Sequence, residues 1–228
     1  SGRPGPVVLA LPEDMLIESV DVTDAQKVVC AKNRPTAKSI KEVQVLFEQS
    51  KKPLVILGGS GWSERACELV KTFAENNQLP VGCSFRRQDL FDNHHSNYVG
   101  DIGIGINPRL ADMVKESDLL LVLGARLGEM TTSGYTLVEA PTPKQRLIHI
   151  HPGLEELGRV FQGSVLINSD IEEAIDALVS MPAMEPNWKT WLKDGRENYL
   201  KNLIPQSSPG LVDLGQVMVA FKDLLPSD

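Results

Sequence analysis

The run Leu119-Leu120-Leu121-Val122-Leu123 admits few folds. A β-strand turns successive side chains to opposite faces, so five apolar residues in a row need cover on both sides, the situation of a central strand in a parallel sheet. Leu54 to Leu57 is a second run of this kind, and the segments around Pro80 to Cys83, Arg146 to Ile150 and Ser164 to Ile167 supply further strands. The stretches between them carry helical spacing instead. Ile40, Val43, Leu46 and Phe47 share one face of 36–49, and Ala66, Leu69, Val70 and Phe73 share one face of 63–76, with Ser63 as its cap. Leu110, Met113 and Val114 follow Pro108 at a first-turn position, and Asn168-Ser169-Asp170 caps a helix striped by Ile171, Ala174, Ile175 and Leu178. Strands alternating with helices predict an α/β fold, a Rossmann-like doubly wound parallel sheet of five to six strands with helices on both faces.

The pattern does not fill the chain. Glu13 to Lys32 is polar and weakly periodic, and Asn33-Arg34-Pro35 punctuates it as a linker does, which places one boundary near residue 35. From Met181 the character changes again, through Pro182, Pro186, Trp188 and Trp191 to the linker-like run Ile204-Pro205-Gln206-Ser207-Ser208-Pro209-Gly210. Beyond it, Leu214, Val217, Met218 and Phe221 share a face of a last helix that has too little sequence behind it to form a domain. Three segments are therefore expected: 1–34, 35–182 and 183–228.

A chain of 228 residues, 42% hydrophobic, can bury a sizeable core. Its net charge of -7 argues against a nucleic-acid surface, since the nearest basic groups, Lys51-Lys52 and Arg86-Arg87, are only pairs. Cys30, Cys67 and Cys83 are too few and too scattered for a disulfide framework or a zinc site, and neither His94-His95 nor His149 with His151 has a carboxylate or cysteine at ligand spacing. A reducing, cytoplasmic setting is expected. Neither a signal-like leader nor a long apolar span indicates export or membrane insertion, and a start at Ser-Gly rather than Met fits a piece of a longer protein.

In a parallel sheet the turns after the strands gather at one edge, where backbone N–H groups can receive phosphate. Gly58-Gly59-Ser60-Gly61 falls there; glycine lets a chain turn sharply and approach a pyrophosphate, yet the run matches neither Gly-x-Gly-x-x-Gly nor the P-loop pattern. A tight turn without a ligand is the plain alternative. Gly124-Ala125-Arg126 occupies the equivalent place after the central strand, where an arginine either pairs with a phosphate or lies on the surface beside a turn. Gly100-Asp101-Ile102-Gly103-Ile104-Gly105 reads as a glycine-rich stretch suited to close ligand approach or to a plain irregular loop. Thr131-Thr132-Ser133-Gly134 offers hydroxyls whose commoner use is turn formation. No recognised catalytic set is found, and the acid pairs Glu155-Glu156 and Glu172-Glu173 read as solvated helix faces.

Several of these segments, with Arg3-Pro4-Gly5-Pro6-Val7 and Ile148-His149-Ile150-His151 followed by Glu156-Leu157-Gly158-Arg159, resemble thiamine-diphosphate enzymes of the acetolactate synthase type in order and spacing. The resemblance implies a three-domain subunit with active sites between subunits of a homo-oligomer. Residues 1–34 would then be the end of the pyrimidine-binding domain and its linker, 35–182 the central nucleotide-binding-like domain, and 183–228 a linker helix and the start of the diphosphate-binding domain. It also implies a 2-keto acid substrate for the full-length enzyme, decarboxylated or joined to a second molecule, with thiamine diphosphate and Mg2+ held by the outer domains. The family's catalytic glutamate and metal motif match no part of this sequence, so the chain alone is expected to be inactive. In flavin-binding relatives the central domain holds FAD, and that role carries over to Arg3, Gly58, Gly59, Ser60, Gly100, Gly124, Ala125 and Arg126, with FAD or ADP as ligand. Three departures stand out: His151 replaces an acid on its strand, Leu127-Gly128-Glu129 replaces Phe-Asp-Asp, and Glu13 replaces a lysine. The rival readings are a self-contained dinucleotide-binding oxidoreductase and a non-catalytic nucleotide-binding module.

Overall fold

The structure is a computed structural model describing residues 5–225. In chain order its elements are α1 (Glu13–Leu16), α2 (Ala37–Glu48), β1 (Pro53–Leu57), α3 (Glu64–Asn77), β2 (Val81–Ser84), β3 (Tyr98–Ile102), α4 (Pro108–Glu116), β4 (Leu119–Leu123), β5 (Arg146–His151), β6 (Val165–Asn168), α5 (Ile171–Val179), α6 (Lys189–Asn202) and α7 (Leu214–Leu224). The strands form one six-stranded parallel sheet in the order β3-β2-β1-β4-β5-β6. This is the expected doubly wound α/β arrangement, and the order reverses between β1 and β4.

Alternation explains the two cores. On β4, Leu119, Leu121 and Leu123 join Phe47 of α2, Phe73 of α3 and Ile175 of α5 on one face, while Leu120 and Val122 join Leu110 and Val114 of α4 on the other. β1 runs in register beside it, Leu54 against Leu120 and Val55 against Leu121, and every residue of both strands is buried. The side-chain caps form where the sequence places them: Ser63 accepts from the Ala66 N–H at 3.1 Å and Asp170 from the Glu172 N–H at 3.1 Å.

Three features depart from the sequence reading. First, Gly100-Asp101-Ile102 is not loop but belongs to the edge strand β3, where Gly100 pairs with Gly82 and the register with β2 shifts. Glycine has little strand preference, so the strand signal is weak. A Cβ on Gly100 would lie 3.0 Å from Leu110 and 3.4 Å from Tyr199, so the glycine makes room for α4 and α6. Second, no helix joins β4 to β5. Gly134, Pro141 and Pro143 interrupt this segment, and Thr132 shapes it as a turn, donating to the Gly128 carbonyl at 2.9 Å and accepting from the Tyr135 N–H at 3.0 Å. Third, packing on the sheet continues past residue 182. Trp188, buried against Phe47, donates its indole N–H to the Asn77 carbonyl at 3.0 Å, and Arg196 of α6 donates to the Tyr98 and Asn93 carbonyls at 3.0 Å.

At the other end, Asn33 is tied to the start of α5: its carbonyl accepts from the Asp170 N–H at 2.9 Å and the Ser169 hydroxyl at 2.8 Å. Arg34 then pairs with Glu173 and Asp176 of α5. From Gly5 to Lys32 every residue is exposed, and α7 buries none of its residues.

Candidate functional site

The carboxyl ends of β1, β2 and β4 meet at one rim. Between β1 and β4, the two glycine turns are built into each other. Gly58 N–H donates to the Leu123 carbonyl at 3.0 Å and Gly124 N–H to the Ile150 carbonyl at 2.9 Å, which extends the ladder by one residue beyond each strand. The chain then turns through positive φ at Gly59 (71°) and Gly124 (70°). The Trp62 indole N–H donates to the Gly58 carbonyl at 2.8 Å and fixes the first turn. A groove of about 540 Å³ opens above these turns, lined among others by Gly59, Ser84, Arg87, Arg126, Thr131 and Tyr135.

The sequence-proposed residues fall into different places. Gly59 and Arg126 line the groove. Gly58, Gly124 and Ala125 are buried behind it, and Ser60 is exposed on the turn. Gly100 stands apart under α4 and α6, and Arg3 lies outside the described residues. Sequence reasoning missed the contribution of β2, which supplies Ser84 at its end and Arg87 in the turn that follows; the position of Arg86-Arg87 just after a strand was the available signal. Arg87 is held by Asp89 at 3.0 Å, and that hydrogen bond keeps the Asp89 carboxyl below its ordinary range.

Glu156 corrects the reading of Glu155-Glu156 as a solvated face. Its side chain is only 4% exposed and sits between two guanidinium groups, 3.3 Å from Arg126 Nε and 3.5 Å from Arg159 Nη1. Glu172 is likewise engaged, accepting from the Ser63 hydroxyl and pairing with Arg65 at 2.9 Å. Under the β4 turn, His149 donates from Nε2 to the Ala125 carbonyl at 2.9 Å, and burial pushes its pKa down to about 4, so it is neutral at ordinary pH. His151 is buried beside it and its Nδ1 accepts from the Gly153 N–H at 2.9 Å. The two rings support the rim from within.

The residue types suit an organic anion more than a metal. Gly59 lines the groove without a side chain, and Arg126 and Arg87 bring positive charge to it. Among the described residues no three His, Cys, Asp or Glu side chains converge to hold a metal ion. The described residues at this rim do not fit a metal-bound diphosphate.

Comparison with known proteins agrees with this architecture. The family described as thiamine pyrophosphate enzyme, central domain, matches residues 40–178, more than half of the chain. The chain belongs to that family. It is also similar to the acetolactate synthase large subunit of Parasynechococcus marenigrum, 27% identical over 99% of this chain and 38% of that protein. The large subunit of acetolactate synthase isozyme 1 of Escherichia coli is 26% identical over 100% of this chain and 41% of that protein. The acetolactate synthase large subunit of Corynebacterium glutamicum is 27% identical over 78% of this chain and 29% of that protein. The chain thus spans about two fifths of the first two relatives. No helix among the described residues is long and apolar enough to cross a membrane.

Proposed function

We propose that this thiamine pyrophosphate enzyme central domain binds FAD or an adenine nucleotide such as ADP at the rim between β1 and β4, and scaffolds a larger enzyme. The observation that carries the reading is position: the groove lies at the point where strand order reverses, over two interlocked glycine turns. Open α/β sheets bind ligands outside the carboxyl ends of their strands at that point. Arg126 would pair with a ligand phosphate, Gly59 would let the backbone approach, and His149 would hold the Ala125 carbonyl so that the turn keeps its shape.

For the whole protein the reading is a cytoplasmic, homo-oligomeric enzyme of the acetolactate synthase type that decarboxylates and joins 2-keto acids. Bound thiamine diphosphate with Mg2+ would supply the carbanion chemistry, from residues other than those described. The chain on its own would leave 2-keto acids unchanged. The family match across 40–178 favours this over a self-contained dinucleotide oxidoreductase.

Titrating FAD, ADP and NAD into the purified chain by calorimetry tests the nucleotide site. Saturable binding of FAD or ADP, weakened about tenfold by Arg126→Gln, is the expected result. Failure of all three to bind would end the nucleotide reading.

A further inference from the structure

Behind the groove lies a second, smaller space. It measures about 90 Å³ and shares Arg126 and Tyr135 with the groove, while His149, Glu156, Arg159 and Phe161 complete much of its wall. It is far smaller than the groove and has room for a tetrahedral oxyanion. The Tyr135 ring, on a residue with φ of 63°, packs against Phe161 with centroids 6.4 Å apart and closes one side.

The charges here favour an anion. Among the described residues, two guanidinium groups face one carboxylate and His149 is neutral, so the charged groups lining the cavity leave one excess positive charge. The arginines are also loosely held: their contacts to Glu156, at 3.3 and 3.5 Å, are long beside the ~2.7–2.9 Å of a tight charged pair, and their side chains are 55% and 53% exposed. Each keeps N–H groups for a ligand.

The carboxylate of this cavity is already engaged by arginine, so a ribose diol lacks the acceptor it would ordinarily use. In dinucleotide sites a carboxylate accepts from the ribose hydroxyls, whereas an arginine takes a ribose phosphate. Glu156 is the cavity's carboxylate and is committed to the arginines; Glu129 lines the groove instead. Each imidazole of β5 has one nitrogen engaged, His149 Nε2 with the Ala125 carbonyl and His151 Nδ1 with the Gly153 N–H.

We propose that this cavity is a phosphate subsite in which Arg126 and Arg159 receive a phosphomonoester on the nucleotide's ribose, so that the site prefers a 2′- or 3′-phosphorylated nucleotide over one with a free diol. The inference rests on the nucleotide reading of the groove and adds Arg159 as its specificity-determining residue.

Calorimetric titration of the full chain with AMP, adenosine 2′,5′-bisphosphate and adenosine 3′,5′-bisphosphate tests it, because these ligands differ only at the ribose. At least one bisphosphate should bind about tenfold tighter than AMP. Arg159→Gln should bring that ratio near one, and Arg159→Lys should restore part of it, since lysine keeps the charge but loses the fork. Equal binding of AMP and both bisphosphates, or a preference that survives Arg159→Gln, would overturn the subsite and leave nucleotide binding standing. If no nucleotide binds, inorganic phosphate decides: a thermal stabilisation that disappears in Arg159→Gln would keep the anion subsite while the nucleotide reading falls, and its absence would sink both.

Discussion

Gly59 and Gly124 meet backbone to backbone across the ends of β1 and β4. A Cβ on Gly59 would overlap the Gly124 carbonyl oxygen, and one on Gly124 would lie 2.6 Å from the Gly58 carbonyl oxygen. Neither obstacle is a side chain that can rotate away, and both glycines have positive φ. Gly59→Ala is therefore expected to cost about 4 kcal/mol or more, from backbone strain together with displacement of the neighbouring turn. Gly61→Ala provides the contrast: its φ is 88° but nothing lies within 4 Å, so only strain of about 1 kcal/mol remains. Urea unfolding of the two variants measures the difference, and equal losses would show that the glycine turns are not interlocked.

Trp188 ties the segment after residue 182 to the central sheet. Trp188→Ala should cost about 3–5 kcal/mol through lost packing on Phe47, and Trp188→Phe only about 1–2 kcal/mol, mainly the hydrogen bond to the Asn77 carbonyl. A chain spanning 33–204 should melt in the same cooperative transition as the full chain. One ending at 182 should melt at lower temperature or fail to fold, because it bares Tyr98, Val99 and Met113 where α6 packs. An unchanged melt for the shorter chain would place α6 outside the folding unit.

The elements that announced themselves in sequence are those whose environment is the same all round or repeats simply. β1 and β4 are apolar at every position because helices cover both faces, and Ser63 and Asp170 read as caps because capping is local chemistry. β3 was hidden: Gly100 and Asp101 carry little strand preference, and long-range packing of α4 and α6 fixes the strand. Of the site, Gly59 and Arg126 were legible because turns after parallel strands must gather at one edge. Glu156 was not. Its burial depends on Arg126 and Arg159, brought together only by folding, so its sequence neighbours Glu155 and Leu157 say nothing of it.

The three thiols should differ in reactivity. Burial pushes the Cys83 thiol up to about 12, with Asp101 and Asp89 adding to the effect, so almost no thiolate is present at pH 8. Cys30 is exposed, and Cys67 is raised by partial burial. Brief iodoacetamide treatment of the native chain should label the Cys30 peptide first and leave the Cys83 peptide unmodified, whereas in urea all three should label. Native labelling of Cys83 at the Cys30 rate would show that β2 opens readily at the groove.

His149 couples rim stability to acid. Unfolded, it takes up a proton near 6.5; folded, burial withholds that proton until about 4. The unfolded state thus binds more protons between those values, so stability that is complete above about pH 6.5 is lost as pH falls toward 4, by roughly 3 kcal/mol at most. The carboxylates of Asp176 and Glu172, held low by hydrogen bonds with arginine and serine partners, are lost in more acid solution. His149→Gln removes the imidazole while keeping an amide donor for the Ala125 carbonyl. Compared by urea unfolding from pH 7 to pH 4.5, the variant should lose less stability than the parent across that interval. Parallel decline of the two proteins would mean that His149 takes up its proton in the folded state at an ordinary pH.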